Sequence, residues 1–276
     1  MFNLRKISVA IALPATFLAS SWLSIAGADN AGDQISALND EIQNAYKQKQ
    51  ISKAVPAYKK LIQIYRQKYG AKSKNVATAL RNYAYLCSSC NLNQEAKSAV
   101  DEASKIFMAD ASTITIGNSR LGKYALRCPS CYEAKCMGGR NDDDSWVSSY
   151  EFYDAPKQPG QQFTFQVEVF ENIDKGHFKH NTIQGFLEGA YTKEEIVEAP
   201  QIVTINGIKF SKAVACAITP GFYDEKHKNL NTIYFGSVAH KRILIRCQSP
   251  AHGAYVTMAL VTPVILTLSQ TESPIN

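Results

Sequence analysis

The sequence predicts an α+β chain of two domains: an N-terminal all-α module of helical hairpins, then a mainly antiparallel β-sheet domain with a few helices. Three observations predict it. Apolar residues recur at helical spacing, with a 42-residue period, between Ser36 and Phe107. After Met108 β-branched and aromatic residues alternate at strand spacing. The composition, 45% hydrophobic and 20% charged over 276 residues, allows a sizeable core and excludes a disordered or fibrous chain.

Residues 1–28 read as a secretory signal. Arg5 and Lys6 precede an apolar run from Ile7 to Ile25, and Ala26-Gly27-Ala28 supplies the small side chains a signal peptidase accepts before Asp29. An uncleaved anchor is the competing reading, because the run is long enough to span a bilayer. No Cys lies at the junction, which disfavours a lipoprotein, and no later stretch is long and charge-free enough to cross a membrane. The expected location is therefore secreted or periplasmic, where disulfides persist.

The helical domain is expected over 29–110. Ala, Leu, Lys, Gln and Glu dominate it, and breaks near Gln48–Ser52, Tyr69–Ser73 and Cys90–Asn93 divide it into four helices of about 15 to 18 residues. Pro56 falls in a first turn, where its missing N–H costs nothing. Ala54 and Ala96, Tyr58 and Val100, and Ile64 and Ile106 are each 42 residues apart. The stretch from Asn75 to Cys87, followed by Gln94 to Ile106, resembles a tetratricopeptide repeat of the kinesin-light-chain kind, through Leu80, Tyr83, Ala84, Ala96, Val100 and Ala103. Glu41 to Tyr69 is similar through Tyr46, Ala54, Tyr58 and Leu61, while Cys87 and Cys90 depart from the family's usual aromatic and Gly. The resemblance implies a binding groove lined by the first helix of each hairpin, here by Asn44, Lys47, Arg81 and Tyr85. Two repeats are fewer than the three usually needed to bury a continuous face. The downstream domain or a second copy of the chain, as a homo-oligomer, is expected to cover the open end.

Charge sharpens the expected partner. The net +6 is uneven: residues 29–109 carry 12 basic and 7 acidic side chains, against 16 and 17 in 110–276. No Asp or Glu occurs between Ile42 and Gln94, so an acidic protein or peptide partner is favoured. A solvated basic face without a partner is the plainer alternative. The export signal and the lack of a stacking motif argue against nucleic acid.

Residues 111–145 are expected to form a Cys-containing linker, with Ser112 to Gly122 a polar connection, and 146–276 the α+β domain. Phe163, Phe165, Val167 and Val169 alternate with Thr164, Gln166 and Glu168 within the strand Gln162 to Phe170. Further strands are expected at Trp146 to Tyr153, Ile202 to Ile205, Lys209 to Ile218, Thr232 to Ala239 and Arg242 to Cys247, with a hairpin turn at Asn206-Gly207. Thr192 and Glu195 read as the capping box of a helix to Glu198. Tyr255 to Leu268 has helical spacing, although Pro263 argues against a straight helix. No motif in this part identifies a family.

The seven cysteines are disulfide candidates: Cys87 and Cys90, Cys128 and Cys131, Cys136, Cys216 and Cys247. The two CxxC pairs also suit a structural zinc ion, and Cys128-Pro-Ser-Cys131 matches some thiol oxidoreductases, but an oxidising compartment favours disulfides. Cys216 and Cys247 fit a bridge between strands or plain buried thiols. The histidines, 177, 180, 227, 240 and 252, read as surface residues, and Asn141 to Ser145 as a solvated turn rather than a calcium loop. No metal ligand set and no catalytic residue emerges, since the chain has no G-x-S-x-G, no HExxH and no phosphate loop. The expected function is an exported, non-enzymatic interaction or scaffold protein without a cofactor. An enzyme or thiol-redox protein, with its site in the C-terminal domain, is the alternative.

Overall fold

The computed structural model describes residues 30–140, 146–154, 164–171, 182–192, 195–218, 228–238, 241–250 and 253–273. The segment expected as a signal, all five histidines, Phe163 and the turn expected over Asn141 to Ser145 lie outside these residues.

Four helices come first: α1 (Asn30–Lys47), α2 (Ala54–Tyr69), α3 (Lys74–Ser89) and α4 (Asn93–Ala109). Their ends fall at the breaks in the sequence. Gly70, at φ +85°, ends α2 in a backbone region that L side chains avoid, and Ser73 caps α3 by accepting from the Val76 N–H at 3.3 Å. α1 packs on α2, α2 on α3, and α3 on α4. The residues related by 42 positions share one fate, since Ala54, Tyr58, Ala96 and Val100 are all buried. Small residues let the helices approach, and Tyr58 meets Tyr83 with ring centroids 6.3 Å apart.

Within the segment expected to be a linker, residues 112–118, 122–128, 132–136 and 139–140 are instead strands. β1 (Ser112–Asn118) and β2 (Gly122–Cys128) form an antiparallel hairpin, which β11 (Ser269–Glu272) extends on the β2 side. Thr and Ile alternate along β1, so its outward face is polar while Ile116 is fully buried, and that polarity is what reads as a loop. Gly117, at φ +94°, is required where the hairpin closes: an added Cβ would lie 2.1 Å from the Gly122 carbonyl oxygen.

The large sheet is antiparallel throughout. Its order is β3 (Tyr132–Cys136), β5 (Trp146–Asp154), β6 (Phe165–Glu171), β10 (Lys241–Pro250), β9 (Lys228–Val238), β8 (Ile208–Ile218) and β7 (Ile196–Ile205), with the short β4 (Gly139–Arg140) also on β5. The expected strands are present, and β7, β9 and β10 run longer than the sequence indicates. The helix expected over Thr192 to Glu198 is not formed. The Glu195 carboxylate does accept from the Thr192 N–H at 2.7 Å, but β7 begins at Ile196, and its Pro200 and β-branched residues suit an edge strand. A helix the sequence reading missed, α5 (Ile183–Ala190), lies earlier and is capped by Thr182 accepting from the Gly185 N–H at 3.2 Å.

The last helix, α6 (Ala254–Ile265), accommodates Pro263 close to its C-terminal end. It packs against α4 and α3 on one side and against β10 and β2 on the other. Asn206, at φ +46° on the β7–β8 hairpin tip, donates through Nδ2 to the Leu266 carbonyl at 2.8 Å and the Leu268 carbonyl at 2.9 Å, so the turn satisfies acceptors where α6 ends. One apolar core therefore runs from Ile42 through Leu86, Phe107, Tyr124, Phe152, Phe165 and Ile243 to Val261 and Leu268. Phe152 stacks on Phe165 with centroids 4.1 Å apart at its centre. The far face of the sheet holds a second, smaller core, in which Ile183 and Leu187 of α5 join Phe170, Ile233, Phe235 and Leu244.

Candidate functional site

The four expected groove residues separate into two pairs. Asn44 and Lys47 on α1 are exposed. Arg81 on α3 is 9% exposed and makes an ion pair with Asp154 at the end of β5, Nη1 to Oδ1 3.7 Å. Tyr85 shares a 2.9 Å hydrogen bond with Thr257 of α6, and its ring lies so close to Gly253 that a Cβ there would be 2.8 Å away. The expectation that Arg81 and Tyr85 line an open groove is thus corrected. Both are covered by the chain's own C-terminal elements, because α6 and the end of β5 occupy the side of α3 that the resemblance leaves to a partner.

The acid-free run is partly neutralised from outside its own length. Lys59 pairs with Glu95 at 2.9 Å, and Arg66 holds both oxygens of Glu102 at 2.7 and 2.8 Å. The Tyr83 hydroxyl also donates to Glu95, and this bond together with Lys59 holds that carboxyl below its usual pKa. Lys74 donates to the Ser130 carbonyl at 3.0 Å. Lys47, Lys49, Lys53, Lys60 and Lys72 remain exposed on the first hairpin and the turn that follows it.

All seven cysteines are free thiols in this structure. Cys87 is buried against Tyr83 and near Cys90, whereas Cys128 and Cys131 sit together by Arg81 and Asp154. Among the described residues no group of three or more His, Cys, Asp or Glu is gathered to hold a metal ion, so the four thiols of the two CxxC pairs do not converge. Cys216 and Cys247 stand on β8 and β10 with β9 between them, a separation of roughly 10 Å. That exceeds disulfide reach, so no bridge joins these strands. Burial pushes the thiols of Cys128 and Cys131 up to about 12, which keeps both protonated at neutral pH. Cys136 is the exposed thiol, on edge strand β3.

The sequence reading missed a polar network on the far face of the sheet. The strand registers bring Ser149 and Glu151 of β5, Gln166 and Glu168 of β6, and Arg246 of β10 onto one side. Gln166 is buried and central: its Nε2 donates to Ser149 Oγ at 3.0 Å and Glu168 Oε1 at 2.8 Å, while its Oε1 accepts from Arg246 at 2.7 Å. Tyr153 donates to Glu151. Burial raises the pKa of Glu168, with Arg246 and the Ser149 hydrogen bond opposing. The only signal in the sequence was Gln166 and Glu168 alternating with an apolar row, which by itself reads as a solvent-facing side.

No family model and no curated protein matches the chain. A crystal structure from Bacteroides thetaiotaomicron VPI-5482 is similar over 53% of this chain and 44% of its own, at 15% identity and a TM-score of 0.33. The aligned part thus spans less than half of that chain's length. Among the described residues no helix is long and apolar enough to cross a membrane.

Proposed function

We propose that the protein is an exported, non-enzymatic interaction component whose tetratricopeptide-like helical module binds an acidic protein or peptide through its first hairpin. The observation that carries this reading is the asymmetry of the groove. Asn44 and Lys47 face solvent on α1, with Lys49 and Lys53 exposed in the turn that follows, whereas the corresponding surface of α3 is used to fasten the helices to the sheet. α6 packs beside α4 as a further helix of the stack, which supports a two-repeat array closed by the chain's own C-terminal part rather than by a second copy. Export to a secreted or periplasmic location rests on the N-terminal segment and its Ala-Gly-Ala site.

The thiol-redox alternative gains no support from its thiols. Reactive cysteines need a lowered pKa and access, and Cys128 and Cys131 have neither. The test is affinity capture with the full mature chain at low and high salt. Specific capture of an acidic protein, weakened in Lys47→Glu and by salt, is the expected result. Capture unaffected by Lys47→Glu, or none at low salt, would count against the reading.

A further inference from the structure

The two edges of the large sheet are finished differently. β3 at one edge is five residues long and exposes Glu133 and Lys135, a short charged form that discourages further pairing. β7 at the other edge is ten residues long, and among the described residues no strand lies on its outer side. Its first half is guarded. Pro200 lacks an N–H, and the register against β8 shifts between Ile196 and Glu198 and again between Glu198 and Gln201. Its second half has no such device: residues 201–205 pair regularly with β8, and no charged residue occurs from 199 to 208. The three large apolar side chains most open to solvent among the described residues gather here. Ile202, at 70%, and Val197 stand on β7, and Leu266 lies at its turn, where the Leu266 carbonyl accepts from Asn206.

The hairpin fixes which backbone groups are free. Its two-residue turn at Asn206-Gly207 makes Ile205 and Ile208 a bonded pair, and bonding alternates back along β7 from there. Val203 and Gln201 therefore turn their N–H and C=O groups to β8, while Ile202 and Thr204 turn theirs outward. These two residues are symmetric about Val203. A second copy related by a two-fold axis at Val203 pairs Ile202 of each copy with Thr204 of the other, through about four backbone hydrogen bonds. The same register sets Pro200 opposite Asn206 of the second copy, beyond the paired segment, where no N–H is needed. It also brings the exposed Leu266, held at the turn by Asn206, towards that proline. The two Glu198 carboxylates fall at opposite ends of the contact, so no like charges meet.

We propose that the outer edge of β7, over residues 201–205, is a homodimer contact in which two copies pair antiparallel and join their large sheets into one. Five residues from each copy form a small contact, so the dimer is a weak one. The edge is independent of the helical surface proposed for a protein partner.

The test is sedimentation velocity on the full mature chain, with reductant present so that no intermolecular disulfide contributes, from about 1 to about 300 μM. The expected result is a reversible monomer–dimer equilibrium with the dimer growing across that range. Ile202→Lys sets two ammonium groups on diagonal neighbours about 7–8 Å apart, and Thr204→Pro removes an outward N–H that β8 does not use. Each should raise the dimer dissociation constant by about tenfold or more. The 70%-exposed Ile202 carries the test if Thr204→Pro does not fold. Hydrogen exchange of the Ile202 and Thr204 amides should slow in the dimer relative to the monomer. A chain that stays monomeric at every concentration, a dimer undiminished in folded Ile202→Lys, or a dimer in which those two amides exchange as fast as in the monomer would overturn the proposal.

Discussion

Asn44 and Lys47 on α1, and Arg81 and Tyr85 on α3, belong to the first helices of two successive hairpins, yet only the first pair meets solvent. The second pair is enclosed by Asp154 of β5 and by Thr257 and Gly253 of α6. The difference teaches how so short an array of hairpins stays folded. Two hairpins leave an apolar end that stacking alone does not cover, and a helix almost 150 residues later covers it. On α3 the surface around Arg81 and Tyr85 is the joint between helices and sheet.

The comparison breaks most severely if α6 is loosened. Leu260 is buried where α6 meets the shared core, so Leu260→Ala should cost about 3 kcal/mol in urea unfolding and lower hydrogen-exchange protection in α3 and α4. Protection retained in those helices would mean that the hairpins stand without their cap. Arg81→Ala should cost about 3 kcal/mol too, because it leaves Asp154 nearly enclosed without its counter-charge, whereas Lys47→Ala should stay within about 0.5 kcal/mol. Equal effects from these two substitutions would erase the asymmetry between α1 and α3. A smaller effect, about 1–2 kcal/mol, is expected for Thr257→Val, which strands the Tyr85 hydroxyl, and the double variant with Tyr85→Phe should recover most of it.

The smallest expected effect concerns the sheet's far face and appears only as a pH dependence. Burial holds the Glu168 pKa above its ordinary value, so the folded state binds that proton more tightly than the unfolded chain. The stability it contributes is full below the ordinary carboxylate range and is lost as pH rises through the raised pKa. Thermal unfolding of Glu168→Gln should therefore compare more favourably with the unsubstituted chain near about pH 8 than near about pH 4. A difference independent of pH would show that Glu168 titrates alike in both states.

Much of the architecture was legible because local rules carried it. The four helices, the Asn206-Gly207 turn and the alternating strand containing Phe165, Val167 and Val169 follow from periodicity and turn chemistry. β1 was hidden because one of its faces is polar, and the Thr192–Glu195 contact misled because a satisfied cap does not oblige the next residues to be helical. The candidate site was less legible. The residue types of Arg81 and Tyr85 fit a groove as well as an internal joint, and Gln166 and Arg246 lie on strands whose pairing no local signal announces.

By itself the sequence determined the four N-terminal helices and most strands of the large sheet, where the basic charge is concentrated, and that two hairpins need a cover. Only the tertiary structure decided what the cover is, that the two CxxC pairs stay apart, and which polar side chains share one sheet face. The physical reason is range. Propensity and periodicity act over a few residues, whereas the placement of α6 on α4 and the register of β9 against β10 are fixed by burial and pairing between segments distant in the chain.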